Sequence, residues 1–145
     1  MTAPTEVTFD DDITSPSEGK WRVSERFGVV AKAGFQPLPD VLLFHQAELK
    51  LRSEDLNVLL NIMAHWYSPD RWPFPRPTTI AKRMGVSERS VQRSIARMHK
   101  LMLINKTKNS DGKTAYDLTP LVEALRPYAE KRLTLVPRGQ GVIAA

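Results

Sequence analysis

The stretch TTIAKRMGVSERSVQRSIARMHKLMLI, residues 78–104, carries the densest positive charge of the chain, yet an apolar residue recurs every three or four positions. At about 100° per residue, Val91, Ile95, Met98 and Met102 fall in one narrow sector of a helix. Arg89, Gln92, Arg93, Ala96, Arg97 and Lys100 fall on the opposite side, so one face packs and the other presents cations and an amide. Upstream, Pro77–Met84 reads as a helix that stops at Gly85, the residue best able to take a left-handed turn. Ser87 then caps the next helix, with Glu88 in its first turn. Two helices joined by about three residues that include a glycine have helix-turn-helix spacing.

Working outward, SPDRWPFPRP (residues 68–77) holds four prolines that forbid a continuing helix and stiffen the connection. Before it, Ser53 can cap a helix in which Leu56, Leu59, Leu60 and Met63 recur at i, i+3, i+4 and i+7. Val58, Ile62 and Trp66 make its other side apolar too, which predicts a largely buried central helix. Residues 26–46 read as an extended segment leading to a short apolar run at 41–44. On the other side, residues 103–108 and 113–118 flank NSDG, whose Asp111-Gly112 pair favours a tight turn between two strands. Thr119 and Pro120 start a last helix with Leu121, Val122 and Leu125 inward, which Pro127 is expected to break or kink. These readings give three regions: a disordered acidic tail at 1–25, a domain at 26–132, and a flexible tail at 133–145, where LVPRG resembles a protease-cleavage linker.

The 145 residues suit one domain, and their net charge of +5 is unevenly spread. Residues 71–114 hold eleven basic side chains and two acidic ones, whereas residues 1–25 hold two basic and six acidic. A field concentrated in this way attracts polyanions, of which nucleic acid is the commonest inside cells. With no cysteine there is neither a disulfide nor thiolate chemistry. No signal-peptide core or lipid-crossing run is evident, so a soluble, cytoplasmic protein is expected.

Ala81, Gly85 and Val91 occupy the diagnostic positions of the helix-turn-helix: a small residue in its first helix, glycine at the turn, and a branched apolar residue in its second. Phe74, Pro75, Ile80, Met84, Ser87, Arg89, Gln92 and Arg93 also fall into place. On these residues the chain resembles the winged helix-turn-helix DNA-binding domains of bacterial, plasmid and phage replication initiators and transcriptional regulators, over about residues 51–119. It departs from their pattern twice: Arg76 stands where a capping serine is usual, and Leu101-Met102 where leucine-glycine is usual. The resemblance implies a mainly α fold with a small β-hairpin wing. It also implies binding of double-stranded DNA through a recognition helix (about 88–101) and a basic wing (about 103–118).

In that arrangement Arg89, Ser90, Gln92 and Arg93 face base edges, where arginine pairs with guanine and glutamine with adenine. Arg76, Thr78, Thr79, Lys82 and Ser87 would hold phosphate near helix starts, while Arg97, Lys100, Lys106, Lys108 and Lys113 would touch the flanking backbone. Many such domains bind as homodimers, and the last helix is the better candidate surface here.

His45, His65 and His99 share no metal-ligand spacing, and no catalytic grouping stands near them, so neither an enzyme, a metal, a cofactor nor a small-molecule ligand is expected. Trp72 and Phe74 read first as residues that pack the proline-rich loop, and second as platforms on which a base could stack. The competing function from another class is a winged-helix adaptor that holds a partner protein.

Overall fold

The computed structural model describes residues 23–135. These divide into two compact units, one of residues 36–129 and a smaller one drawn from 23–35 and 130–135. The smaller unit contains α1 (Val23–Phe27) and α2 (Val29–Lys32), with Ala31 buried. Here the expected extended segment is corrected to helix: Gly28, at φ 56°, ends one short helix and starts the next, and the following Ala-Lys-Ala suits a helix better than a strand. The tail expected at 1–25 has only residues 23–25 within the described part, and they are helical.

In the larger unit, α3 (Asp40–Phe44), α4 (Ser53–Met63), α5 (Pro77–Met84) and α6 (Glu88–Lys100) precede a two-stranded antiparallel hairpin, β1 (Asn105–Lys108) and β2 (Thr114–Asp117). Then comes α7 (Thr119–Leu135), of which residues 119–129 belong to this unit. The fold is mainly helical with one small hairpin. Leu42, Val58, Leu59, Ile62, Ile80, Val91, Ile95, Met98, Ile104, Leu118 and Leu121 form its continuous core. Both α4 and α5 pack against α6, so α6 is held from two sides.

The central helix is present: Leu59 of the predicted stripe and Val58 and Ile62 of the predicted second apolar side are buried together with Asp55, whereas Leu56, Leu60 and Met63 are only partly covered. Its cap position is Arg52, not Ser53, because the Asp55 carboxylate reaches back to accept from the Arg52 backbone N–H at 3.0 Å. Helix α7 likewise does not stop at Pro127, and it runs on through residues 133–135, which the sequence places in the flexible tail. Of its three predicted inward residues, Leu121 and Leu125 are buried and Val122 is exposed. Pro127 lies on an exposed part of that helix, where the backbone acceptor it leaves unpaired can meet water. The remainder of both predicted tails, residues 1–22 and 136–145, lies outside the described residues.

The hairpin turn is built by Asn109. Its side-chain oxygen accepts from the backbone N–H groups of Asp111 and Lys113, both at 2.9 Å, and Gly112 takes the positive φ of 79° that the turn needs. Strand β2 is covered on both faces, since the consecutive residues Ala115 and Tyr116 are both buried. On its other edge the Tyr116 N–H donates to the carbonyl of Pro73 at 2.9 Å, which ties the hairpin to the proline-rich segment.

Two helix ends use the same device with different residues. After α5, Gly85 sits at φ 71°, with Val86 N–H donating to Ala81 O. After α6, Met102 sits at φ 63°, with Met102 N–H donating to His99 O and Leu103 N–H to Met98 O. This is the Schellman stop, whose left-handed residue is ordinarily glycine. The chain therefore turns out of α6 into the hairpin without the expected glycine, at the expense of a side chain in a crowded backbone region. Met102 is 75 % exposed, so little packing is lost with its side chain. Met102→Gly is expected to stabilise the protein by about 0.5–1 kcal/mol, measurable as a raised urea midpoint at unchanged slope. A lower midpoint would contradict this reading.

Candidate nucleic-acid interface

Helix α6 divides as its sequence predicts at three of the four apolar positions; the fourth, Met102, expected on the packed sector, lies beyond the helix end and is exposed. Val91 and Met98 are 0 % exposed and Ile95 is 2 % exposed, whereas Arg89, Gln92, Arg93, Ala96 and Lys100 are exposed. The helix starts firmly: the Ser87 hydroxyl accepts from the Ser90 N–H at 3.1 Å, and the two serine hydroxyls lie 3.1 Å apart. That satisfies one of the free N–H groups of the first turn, while half-buried Ser90 is turned toward the cap. Gln92 donates to Glu88 at 3.1 Å, an exposed bond that holds its amide near the helix start. Arg89 and Arg93 thus project from a helix whose rotation is fixed by packing on the opposite side.

Arg97 departs from its expected place at a flanking backbone. Its Nη2 lies 2.5 Å from Asp55 Oδ1, and its Nε lies 3.1 Å from both carboxylate oxygens. Asp55 is 0 % exposed. Burial alone pushes the Asp55 carboxyl up, but hydrogen bonds from Arg97, the Arg52 backbone and Ser94, with the Arg97 charge, outweigh it and hold the pKa below its ordinary value. The bond to Asp55, with the Asp55 and Glu54 charges, raises the pKa of Arg97. The guanidinium therefore clamps α6 to α4 instead of facing outward, and acts as a positioning group for the residues beside it.

The phosphate candidates around α5 are less uniform. Arg76, Thr78 and Lys82 are exposed, while Thr79 is partly covered. Arg76 occupies the cap position of α5 and supplies no side-chain cap, as its chemistry requires, so the first-turn N–H groups have no side-chain acceptor there. Arg83, on the same helix, donates toward His65 Nε2 at 3.1 Å. Burial, with the Arg83 charge adding to it, lowers the His65 pKa and keeps that ring neutral and able to accept.

On the hairpin, Lys106, Lys108 and Lys113 are all exposed. Lys106 and Lys108 are two apart on β1 and so point to one face. Between the hairpin and the start of α5 lies a cleft of about 420 Å³ lined by Phe74, Pro75, Arg76, Lys113, Thr114 and Tyr116. Burial pushes the Tyr116 phenol up, so it stays protonated. Among the described residues no group of His, Asp and Glu is arranged to hold a metal ion. No helix there is long and apolar enough to cross a membrane.

Residues 38–133 match the family described as the DnaD N-terminal domain. Among solved structures, the crystal structure of the N-terminal domain of DnaD protein from Geobacillus kaustophilus is similar, with a TM-score of 0.56 and 24% identity over 76% of this chain and 93% of that one. The YusO protein from Bacillus subtilis aligns with a TM-score of 0.41 and 18% identity, over 67% of this chain and 71% of that one. A possible transcriptional regulator from Methanosarcina mazei aligns with a TM-score of 0.39 and 21% identity, over 66% of this chain and 82% of that one. No curated protein matches the chain.

Proposed function

Because the chain belongs to the DnaD N-terminal domain family, we propose that it is a DNA-binding module of replication initiation, built as a winged helix and reading double-stranded DNA through α6. The observation that carries this is the outward placement of Arg89, Gln92 and Arg93 on a helix whose Val91, Ile95 and Met98 are buried. A helix held that way can enter a major groove, where two arginines and an amide suit guanine and adenine edges. Lys106, Lys108 and Lys113 make the hairpin a basic wing, and Arg76, Thr78, Thr79, Lys82, Ser87 and Lys100 lie where the flanking phosphates would run. Regulation of transcription uses the same contacts, so both roles share one binding mode. A pair of copies would read two half-sites, and a monomeric mass at working concentration would remove that part of the reading.

Salt titration of duplex binding tests the proposal. If about six phosphates are neutralised, log affinity should fall against log salt with a slope near −5. Fluorescence anisotropy with a labelled duplex gives the slope directly. Affinity that does not change with salt would remove the electrostatic basis of the reading.

A further inference from the structure

The cleft beside the hairpin is built unlike the rest of the basic face, because an aromatic ring stands in it. Along the proline-rich segment, Pro73 and Pro75 are buried while Phe74 between them is 37 % exposed. The segment is anchored without Phe74: Trp72 packs on Trp66 with ring centroids 5.5 Å apart, and Pro73 O accepts from the Tyr116 N–H. Prolines on both sides restrict the backbone, so the ring is presented with little conformational freedom left to lose. The Arg71 guanidinium lies over the ring at 5.8 Å. Arg76 and Lys113 supply positive charge from the two walls of the cleft, and both side chains are exposed.

An exposed ring between two cations matches a nucleotide, whose base offers a π-face and whose phosphate offers a negative charge. The cleft volume of about 420 Å³ falls within the range of roughly 300–1,000 Å³ typical of small-ligand sites. Within a duplex each interior base is covered on both faces by its neighbours, so the occupant that fits best is an unpaired nucleotide. The geometry points to a specific substrate class: DNA in which a single strand leaves the duplex held on α6, with its first unpaired base on Phe74 and the adjoining phosphate between Arg76 and Lys113. This rests on the DNA-binding reading above, and it adds that the module prefers a duplex with a single-stranded extension to a fully paired one.

The test compares a blunt duplex with the same duplex carrying a single-stranded extension at either end, using the full chain. The extension is expected to tighten binding about tenfold, the scale of one stacked base. A fluorescent adenine analogue at the first unpaired position should be quenched on binding. Phe74→Ala should abolish the preference and the quenching while leaving blunt-duplex affinity unchanged, and Phe74→Trp should restore both. Lys113→Glu, on an exposed turn, leaves the ring in place and should weaken binding of the extended duplex more than that of the blunt one, and it serves if Phe74→Ala fails to fold. Equal affinity for the two DNAs, or a preference that survives Phe74→Ala, overturns the cleft proposal alone. Failure of the chain to hold either DNA overturns the DNA-binding reading, and the cleft proposal falls with it.

Discussion

Arg97→Met is expected to destabilise the protein by about 3–5 kcal/mol, because it leaves a fully buried carboxylate without its partner. Asp55 would keep only the Arg52 N–H and whatever Ser94 can offer, and the uncompensated charge would drive it to take up a proton. Asp55→Asn should cost less, about 1–3 kcal/mol, since the amide oxygen can still accept from Arg52 and the guanidinium is partly exposed to water. Replacing both residues with Leu and Met should recover most of the loss, as apolar substitutes for buried ion pairs do. Urea unfolding of the three variants gives these values. A loss in Arg97→Met no larger than that of an exposed salt bridge, about 0–1 kcal/mol, would show that the clamp is not needed.

The same pair sets an acid limit. In the unfolded chain the Asp55 carboxyl titrates near its ordinary value of about 3.9, whereas in the fold it titrates lower. A carboxyl depressed in this way binds fewer protons when folded, so its contribution is present above the unfolded pKa. It is lost as pH falls through the folded pKa. Stability of the wild type should therefore drop through this acid window more steeply than that of Asp55→Asn, while the two curves run parallel near neutral pH.

The clamp is also where the sequence is hardest to read. The i, i+3, i+4 rule finds α4 but places its inward stripe one residue too far along, because an aspartate does not count as apolar and Asp55 at a helix start suits the dipole equally well. Asp55 and Arg97 are 42 residues apart, a pairing that periodicity within one helix cannot show. The available signal is that Asp55 shares a stripe with Val58, Leu59 and Ile62, which makes a carboxylate on that face demand a cation from elsewhere. Arg97 stands three residues after Ser94, itself buried on the packed side of α6, at the margin between the two faces.

The legible parts follow from short-range physics. The turn at Gly85, the cap at Ser87, the α6 stripe and the hairpin about Asn109 each depend on a few neighbouring residues. The short helices α1 and α2 have too few residues for a 3.6-residue period to emerge. Pro127 misleads because a proline marks a helix end only as a tendency, and here the residues on both sides continue the helix. Arg89, Gln92 and Arg93 share the exposed face of α6, and Arg97 is separated from them by its bond to Asp55.

Reversing charge on that helix should produce the largest functional change. Arg89→Glu with Arg93→Glu is expected to weaken duplex binding at least about a hundredfold, since each good pairing of arginine with a base edge is worth about 1–3 kcal/mol and the reversal adds repulsion from phosphate. Both side chains are exposed, and among the described residues neither takes part in an ion pair, so the fold should be retained. Lys106→Ala with Lys108→Ala serves as the contrasting pair: it should lower affinity for all sequences alike and reduce the salt slope by about 2. The two results separate reading from holding, because losing a bond to a base would change which sequences are preferred, whereas losing a bond to phosphate would not. If the doubly reversed variant keeps its DNA but no longer holds a protein partner, α6 is a protein-docking helix and the adaptor reading replaces the one argued here. If it loses DNA in proportion across all sequences, its arginines meet only phosphate, and the major-groove placement of α6 is wrong even though the chain binds DNA.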